Sequence, residues 1–443
     1  MKIKSFALHN YKSIPQISKL SAEQLEAIEV VGNVLPFKTN NYVVDELIDW
    51  NNVENDPMFI LTFPQKGMLT DEHYAKMKAA LDKGLGKNEL KQIANEIRLE
   101  LNPHPAGQLE HNVPEINGEK IHGMQHKYNQ TVLFFPSQGQ TCHAYCTFCF
   151  RWPQFVGMDE LKFATKEASL LTEYVKAHKE VTDVLFTGGD PMIMKAKIFK
   201  TYFDELVNND LPNLQTIRIG TKSLSYWPYK FTTDDDADEL IAAFEAAVQK
   251  GINVSIMAHF SHPVELKTKA VEDAIKRLRS VGVQIRTQSP ILNHINNNAD
   301  IWAEMWRLQV NLNCIPYYMF IPRDTGAQDY FALSLEECWN IFRNAYQQVS
   351  GVCRTVRGPS MSCHPGKVQI LGVSEVKGEK VFTLRMLQGR NQNWVGIPFF
   401  AKYDPNAIWL DDLKPAFGEN AFFFEEELNS QYHISEDESE LVI

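Results

Sequence analysis

At 443 residues with 44% apolar side chains, the chain can bury a large core and exceeds a usual single domain, which predicts one large catalytic unit with appended segments. A formal charge of −11 excludes a general binder of nucleic acid or anionic membrane, because such proteins need surplus Lys and Arg against phosphate. Seven cysteines, three of them clustered, are no disulfide framework, and neither a membrane span nor a leader at Met1-Lys2-Ile3-Lys4-Ser5 is expected, so the reading is a cytoplasmic protein in a reducing setting.

Residues 1–115 are predicted as a helical N-terminal region. Ser21 offers a cap for a helix through Gln24, and Thr70 to Leu101 carries Met77, Leu81, Leu85, Leu90, Ile93 and Ile97 at helical spacing. That pattern predicts a packing layer on the main core. Pro103-His104-Pro105-Ala106-Gly107 then breaks regular structure and marks a boundary.

From 116 to 350 strands and helices alternate. Strand candidates are Val132 to Phe135, Val181 to Thr187, Thr216 to Gly220, Val254 to His259, Gln284 to Gln288 and Pro316 to Ile321. Helical runs lie between and after them: Thr165 to His178, Lys195 to Val207, Asp235 to Lys250, Pro263 to Val281, Asp300 to Leu312 and Ser334 to Gln348. The alternation predicts the α/β class, with a parallel sheet, helices outside and six units closing into a partial (β/α)6 barrel. Chemistry in such barrels sits at the C-terminal ends of strands.

Two loops obey that rule. After the first strand comes Cys142-His143-Ala144-Tyr145-Cys146-Thr147-Phe148-Cys149. Three thiolates can hold three corners of an iron-sulfur cube and leave the fourth iron open for a ligand. A structural zinc site, which closes with four ligands, is the alternative, and His143 is the only nearby fourth candidate. After the second strand comes Phe186-Thr187-Gly188-Gly189-Asp190, two glycines that let a ligand approach the backbone and a carboxylate placed to accept from a cationic amine. His259, Gln288 and Arg323 fall at or just after later strand ends.

The cysteine spacing is similar to that of radical S-adenosylmethionine (SAM) enzymes. Together with His126-Lys127-Tyr128 to Arg151, Ile217-Arg218-Ile219-Gly220, His259-Phe260-Ser261-His262-Pro263, Thr287-Gln288-Ser289 and Pro316-Tyr317-Tyr318, it resembles the lysine 2,3-aminomutase family over roughly residues 35 to 375. The resemblance implies a [4Fe-4S] cluster on Cys142, Cys146 and Cys149, and SAM on Gly188, Gly189 and Asp190, with His259 and Gln288 nearby. It implies pyridoxal 5'-phosphate (PLP) held as an imine on Lys367, which stands at the family's interval from Ser350-Gly351. Arg151 matches the arginine that grips the substrate carboxylate. The implied reaction is radical migration of an amino group from C2 to C3 of an amino acid, with an electron donor such as flavodoxin or ferredoxin and self-association of the chain. A PLP-independent radical SAM enzyme is the alternative within the same class.

Three positions depart from the family. Its PLP-phosphate arginines are Lys127 and Thr131 here, and its two lysine-binding aspartates correspond to Arg323 and Ser360, which favours an acidic or polar substrate over lysine. Asp324 restores a carboxylate to the pocket if the alignment slips by one. The family's C-terminal cysteine cluster is absent after Cys363, and Cys314, Cys338 and Cys353 read as core thiols. Residues 351–424 form a small C-terminal extension in which Val368-Gln369-Ile370-Leu371 and Val381-Phe382-Thr383-Leu384 make a hairpin over the barrel mouth. Residues 425–443, with Glu425-Glu426-Glu427 and Glu436-Asp437-Glu438-Ser439-Glu440, read as a solvated or disordered acidic tail.

Overall fold

Each β-branched run ends on glycine or a polar turn and is followed by an amphipathic helix, so every strand crosses over and returns parallel to its predecessor. The computed structural model, which describes residues 2–107, 111–116, 118–158 and 161–430, has such a sheet at its centre. Its strands are β1 (Met124–Tyr128), β2 (Thr131–Phe134), β3 (Asp183–Phe186), β4 (Thr216–Thr221), β5 (Asn253–His259), β6 (Gln284–Pro290), β7 (Ile315–Phe320), β8 (Arg357–Ser362), β9 (Gly366–Val376), β10 (Glu379–Gly389) and β11 (Pro398–Lys402). They lie side by side in chain order. Strands β2 to β8 are parallel, while β1 and β9 to β11 join antiparallel at the two edges.

Six crossover helices cover the outside: α1 (Ala168–Ala177), α2 (Ala196–Asn208), α3 (Ala237–Gln249), α4 (Lys269–Ser280), α5 (Ala299–Asn311) and α6 (Leu335–Gln347). On β4, Ile217 and Ile219 are fully buried in one core with Phe199, Phe203 and Phe244 of α2 and α3. Arg218, between them, points the other way into the barrel, where it pairs with Asp183. Burial of each such outer-face side chain contributes about 2 kcal/mol. This is a partial β/α barrel, and its six expected strands and helices are present within a few residues of their expected ends, except that α4 begins at Lys269 instead of Pro263.

The seventh parallel strand, β8, escapes the sequence pattern because Gly358-Pro359 reads as a break. In the fold Gly358 is required there: a Cβ would lie 2.4 Å from the Met319 carbonyl of β7. Strand β9 pairs with β8 and β10 with β9, so the expected hairpin continues the sheet edge instead of covering the barrel mouth. The hydrophobic core runs unbroken from Ile121 to Leu428, which ties the segment after 350 to the barrel. The acidic tail begins later than expected. Residues 425–430 are helical, Leu428 is buried, and Glu427 accepts a hydrogen bond from Trp394 Nε1 at 2.8 Å. The second acidic run, Glu436 to Glu440, lies outside the described residues.

Before β1, helix Ala22–Val34 is capped by Ser21, whose hydroxyl accepts from Gln24 N–H while the Gln24 side chain answers to Ser21 N–H. The periodic stretch from Thr70 is two helices, Asp71–Asp82 and Lys87–Glu100, broken where Gly84 takes φ +66°. Among the described residues no helix is long and apolar enough to cross a membrane.

Candidate active site

The cysteine loop leaves β2 at the C-terminal end of the sheet, and the N-terminal region straps it down. Lys38 Nζ donates to the Cys142 carbonyl at 2.7 Å, Tyr145 N–H to the Lys38 carbonyl at 2.8 Å, and Asn40 Nδ2 to the carbonyls of His143 and Tyr226. Thr147 donates through its amide and hydroxyl to the carbonyls of Leu61 and Ile60, two of the orphan acceptors at the end of helix Pro57–Thr62. The expected packing layer is therefore also the outer wall of the cysteine loop. Periodicity carries no sign of that role, because the contacts are made by main-chain carbonyls and two polar residues, Lys38 and Asn40.

Burial raises all three thiols, Cys149 to about 11 and Cys146 to about 12, and each negative charge would raise its neighbours further. Left alone the loop holds neutral thiols; a bound cationic centre is what would make them thiolates. Three half-buried thiols, with Lys38, Lys222 and Arg151 close enough to favour the thiolate forms of Cys142, Cys146 and Cys149 respectively, thus suit the donor set of a cluster. His143 is not drawn in as a fourth ligand: its Nδ1 is 2.9 Å from Ser223 Oγ and its ring lies parallel to Trp227. Among the described residues no three His, Cys, Asp or Glu side chains converge as they would on one metal ion.

Gly188 and Gly189 press against the cysteine loop, where a Cβ on Gly189 would sit 2.5 Å from Thr141 N. Asp190 differs from its sequence reading as an acceptor for a ligand amine. Its Oδ1 already accepts from Thr221 Oγ1 at 2.6 Å and Met192 N–H at 2.9 Å, and its Oδ2 from Lys222 N–H and Ser223 Oγ. Its own N–H donates to the Thr141 carbonyl. Asp190 is thus the joint that locks the loops after β2, β3 and β4 together. Asp190→Asn puts an amide donor where two buried donors need acceptors, and is expected to cost about 2–4 kcal/mol. Urea unfolding with a parallel SAM titration checks this: a lower midpoint and at least tenfold weaker SAM binding are expected, and an unchanged midpoint overturns the assignment.

Next to this joint lies a buried pair the sequence pattern does not single out. Lys222 Nζ is 2.6 Å from Glu265 Oε1, and it stands 4.5 Å over the Tyr226 ring. Glu265 also accepts from the amides of Ser261 and His262. His259 ends β5 as expected; burial pushes its imidazole down to about 3, so the ring is neutral and its Nε2 accepts from Gln288 Nε2 at 2.7 Å.

Lys367 projects from β9 into the barrel. Its Nζ lies 4.1 Å over the ring of Tyr318, and burial, with Arg218 and Arg357 nearby, lowers its amine to about 7. A half-buried amine that sheds its proton near neutrality and faces several cations fits a lysine that carries a phosphorylated aldehyde. Lys127 donates to the Cys363 carbonyl, and burial beside Arg390 and Arg323 holds it well below the ordinary lysine range. Thr131 donates to Asp183 Oδ2 at 3.1 Å.

Two further arginines share one ring. The guanidinium carbon of Arg151 stands 4.9 Å from the Phe150 centroid and 4.6 Å from that of Phe135; that of Arg323 stands 5.5 Å from Phe150. Arg151 has no ion pair among the described residues. Arg323 donates to the Pro105 carbonyl, and its Nε faces Asp324 Oδ1 at 3.8 Å without a hydrogen bond. Ser360 is fully buried, its hydroxyl turned to the Met319 carbonyl at 3.4 Å, and so belongs to the β7–β8 junction.

No family model matches the chain. A protein of Aquifex aeolicus (strain VF5) named "Putative L-lysine 2,3-aminomutase" is 28% identical over 396 residues, covering 89% of this chain and 92% of that one. Glutamate 2,3-aminomutase of Clostridioides difficile (strain 630) is 26% identical over 251 residues, 56% of each chain. Among solved structures, SuiB of Streptococcus suis bound to S-adenosylmethionine matches 62% of this chain and 56% of its own, at 11% identity and a TM-score of 0.35.

Proposed function

We propose, from the premise that this chain is a lysine 2,3-aminomutase-like radical SAM enzyme, that it moves the α-amino group of an acidic amino acid to the β-carbon. Bound at their sites, a [4Fe-4S] cluster with SAM would supply the hydrogen-abstracting radical, and PLP the conjugated ring across which nitrogen migrates. Cys142, Cys146 and Cys149 would hold the cluster, and a flavodoxin- or ferredoxin-type donor would reduce it. Lys367 would anchor PLP through its uncharged amine. Asp190 keeps the SAM loop rigid against the cysteine loop.

The observation that carries the substrate assignment is the pair of arginines on Phe150. A planar guanidinium takes a carboxylate with two parallel hydrogen bonds; Arg323 spends one donor on the Pro105 carbonyl and its pairing with Asp324 is loose, at 3.8 Å, which leaves it further donors for that purpose. Arg151, beside the last cysteine, would hold the α-carboxylate. Arg323 would hold a second carboxylate at the distal end, where an ammonium would be repelled at a cost of several kcal/mol once desolvated. Relatives of this chain are named for both lysine and glutamate, so the choice between them rests on the arginines.

The test is anaerobic incubation with SAM, reductant and PLP, comparing L-glutamate with L-lysine by the β-amino acid formed. Glutamate is expected to be turned over and lysine is not. Arg323→Asp is expected to lower kcat/KM for glutamate by about 10²-fold or more and to raise that for lysine. Preference for lysine in the unaltered enzyme overturns the acidic-substrate assignment.

A further inference from the structure

The resemblance puts two arginines against the cofactor phosphate, and this chain has replaced them. Lys127 is bound to the Cys363 carbonyl and Thr131 to Asp183, so the expected charge at position 131 is gone. The same carboxylate, however, orients another guanidinium. Asp183 Oδ1 accepts from Arg218 Nε at 2.9 Å, and Oδ2 takes Arg218 Nη2 beside Thr131. Position 131 is thereby coupled to a cation from β4, two strands along the sheet.

Two more cations face the same space. Arg286 of β6 and Arg357 of β8 stand 5.2 and 4.7 Å from the centroid of Tyr317. Arg357 also lies 5.4 Å from the Tyr318 ring and donates to its hydroxyl at 3.2 Å, while Lys367 Nζ sits 4.1 Å over that ring. Arg286 donates only to the neutral Gln284 amide, at 3.2 Å. Among the described residues, the Asp183–Arg218 contact is the only ion pair made by these three arginines. Three guanidinium groups with one carboxylate leave a net positive field beside Tyr317; Arg357 is exposed and Arg218 and Arg286 are half-buried, so an anion can reach them from solvent.

We propose that Arg286 and Arg357, set against Tyr317, form with Arg218 the phosphate-binding end of the Lys367 cofactor pocket in this chain, and that these two take the place of the cationic pair at 127 and 131. The inference rests on the reading that Lys367 carries PLP. One residue, Tyr318, touches both the anchoring amine and a phosphate-facing guanidinium, so a single ligand with an aldehyde at one end and a phosphate at the other spans them. Bidentate donors suit a phosphate dianion, and the tyrosine faces keep them extended toward it.

The test is anaerobic titration of the reconstituted protein with PLP and, separately, with pyridoxal, which lacks the phosphate, followed by visible absorbance. The unaltered protein is expected to bind PLP at least 100-fold more tightly. Arg286→Ala and Arg357→Ala are each expected to weaken PLP about tenfold or more, to leave pyridoxal unchanged, and to be partly rescued by Lys at the same position. Inorganic phosphate is expected to compete with PLP, and glutamate is not. Equal weakening of both ligands, unchanged selectivity, or competition by glutamate in place of phosphate overturns the assignment while the aminomutase reading stands. If the unaltered protein binds pyridoxal and PLP not at all, the PLP reading fails and this inference falls with it.

Discussion

Cys146→Ser is expected to leave the anaerobically reconstituted protein colourless, with iron falling from about four per chain toward none and SAM cleavage falling by 10³-fold or more. In the proposed reading Cys146 would be the middle ligand of the loop, so a weaker oxygen donor there would leave one iron without its thiolate. The loop itself should survive. Its shape comes from main-chain hydrogen bonds to Lys38, Ile60 and Leu61, and the only side-chain hydrogen bond described for the Cys146 thiol is a long one, 3.6 Å, to Tyr226. Thermal unfolding of the iron-free protein within a few degrees of the unaltered one separates ligand loss from misfolding. Cys353→Ser is the control: that thiol is buried in the barrel core away from the loop, and its loss is expected to leave iron content intact. Full iron in Cys146→Ser, or zinc in place of iron in the unaltered protein, would remove the cluster from this site.

Lys367→Ala is expected to abolish the visible absorbance of PLP held by the protein and to lower turnover by 10³-fold or more, with iron content and SAM binding kept. The amine's position predicts a pH signature as well. At an ordinary lysine value only about one amine in three thousand is uncharged at pH 7, whereas a value near 7 leaves about half of them able to attack an aldehyde. The rate of PLP attachment to the apo-protein should therefore rise with pH up to about 7 and flatten above it. The sign for stability follows from the same shift. Between about 7 and 10.5 the unfolded chain holds a proton that the folded chain has released, so this group's contribution to folding becomes more favourable as pH rises through that window. Below about 7 both states are protonated and the contribution is constant. Arg218→Ala removes one of the cations that depress the amine and should move the attachment midpoint upward. A midpoint that stays put in Arg218→Ala, or an attachment rate still climbing tenfold per unit above pH 8, would contradict the assignment.

Much of the barrel was legible because its signal is local. Alternating strand and helix runs repeat six times, and the loops after the first two strands carry unusual composition at the place where such barrels do their chemistry. The helix cap at Ser21 was legible for the same reason: a three-residue spacing fully specifies it. What escaped were features whose cause lies elsewhere in the chain. Strand β8 contains a Gly-Pro pair that argues against a strand until the Met319 carbonyl of β7 explains why no side chain fits at Gly358. Asp190 carries a charge that suggests a ligand contact until four donors from its own and the next loop fill both oxygens.

By itself, then, the sequence determined the α/β class, the order of its six repeated units, the three-thiol loop and Lys367 at its interval from Ser350-Gly351, because each depends on residues close together along the backbone. Tertiary structure alone decided that the N-terminal region braces the cysteine loop, that Lys367 is desolvated enough to lose its proton near neutrality, and that arginines from two separate strands meet on Tyr317. The physical reason is the same for all three. Desolvation and charge act through space over a few ångströms, and residues about 70 apart in sequence reach the same ring only once the sheet has formed.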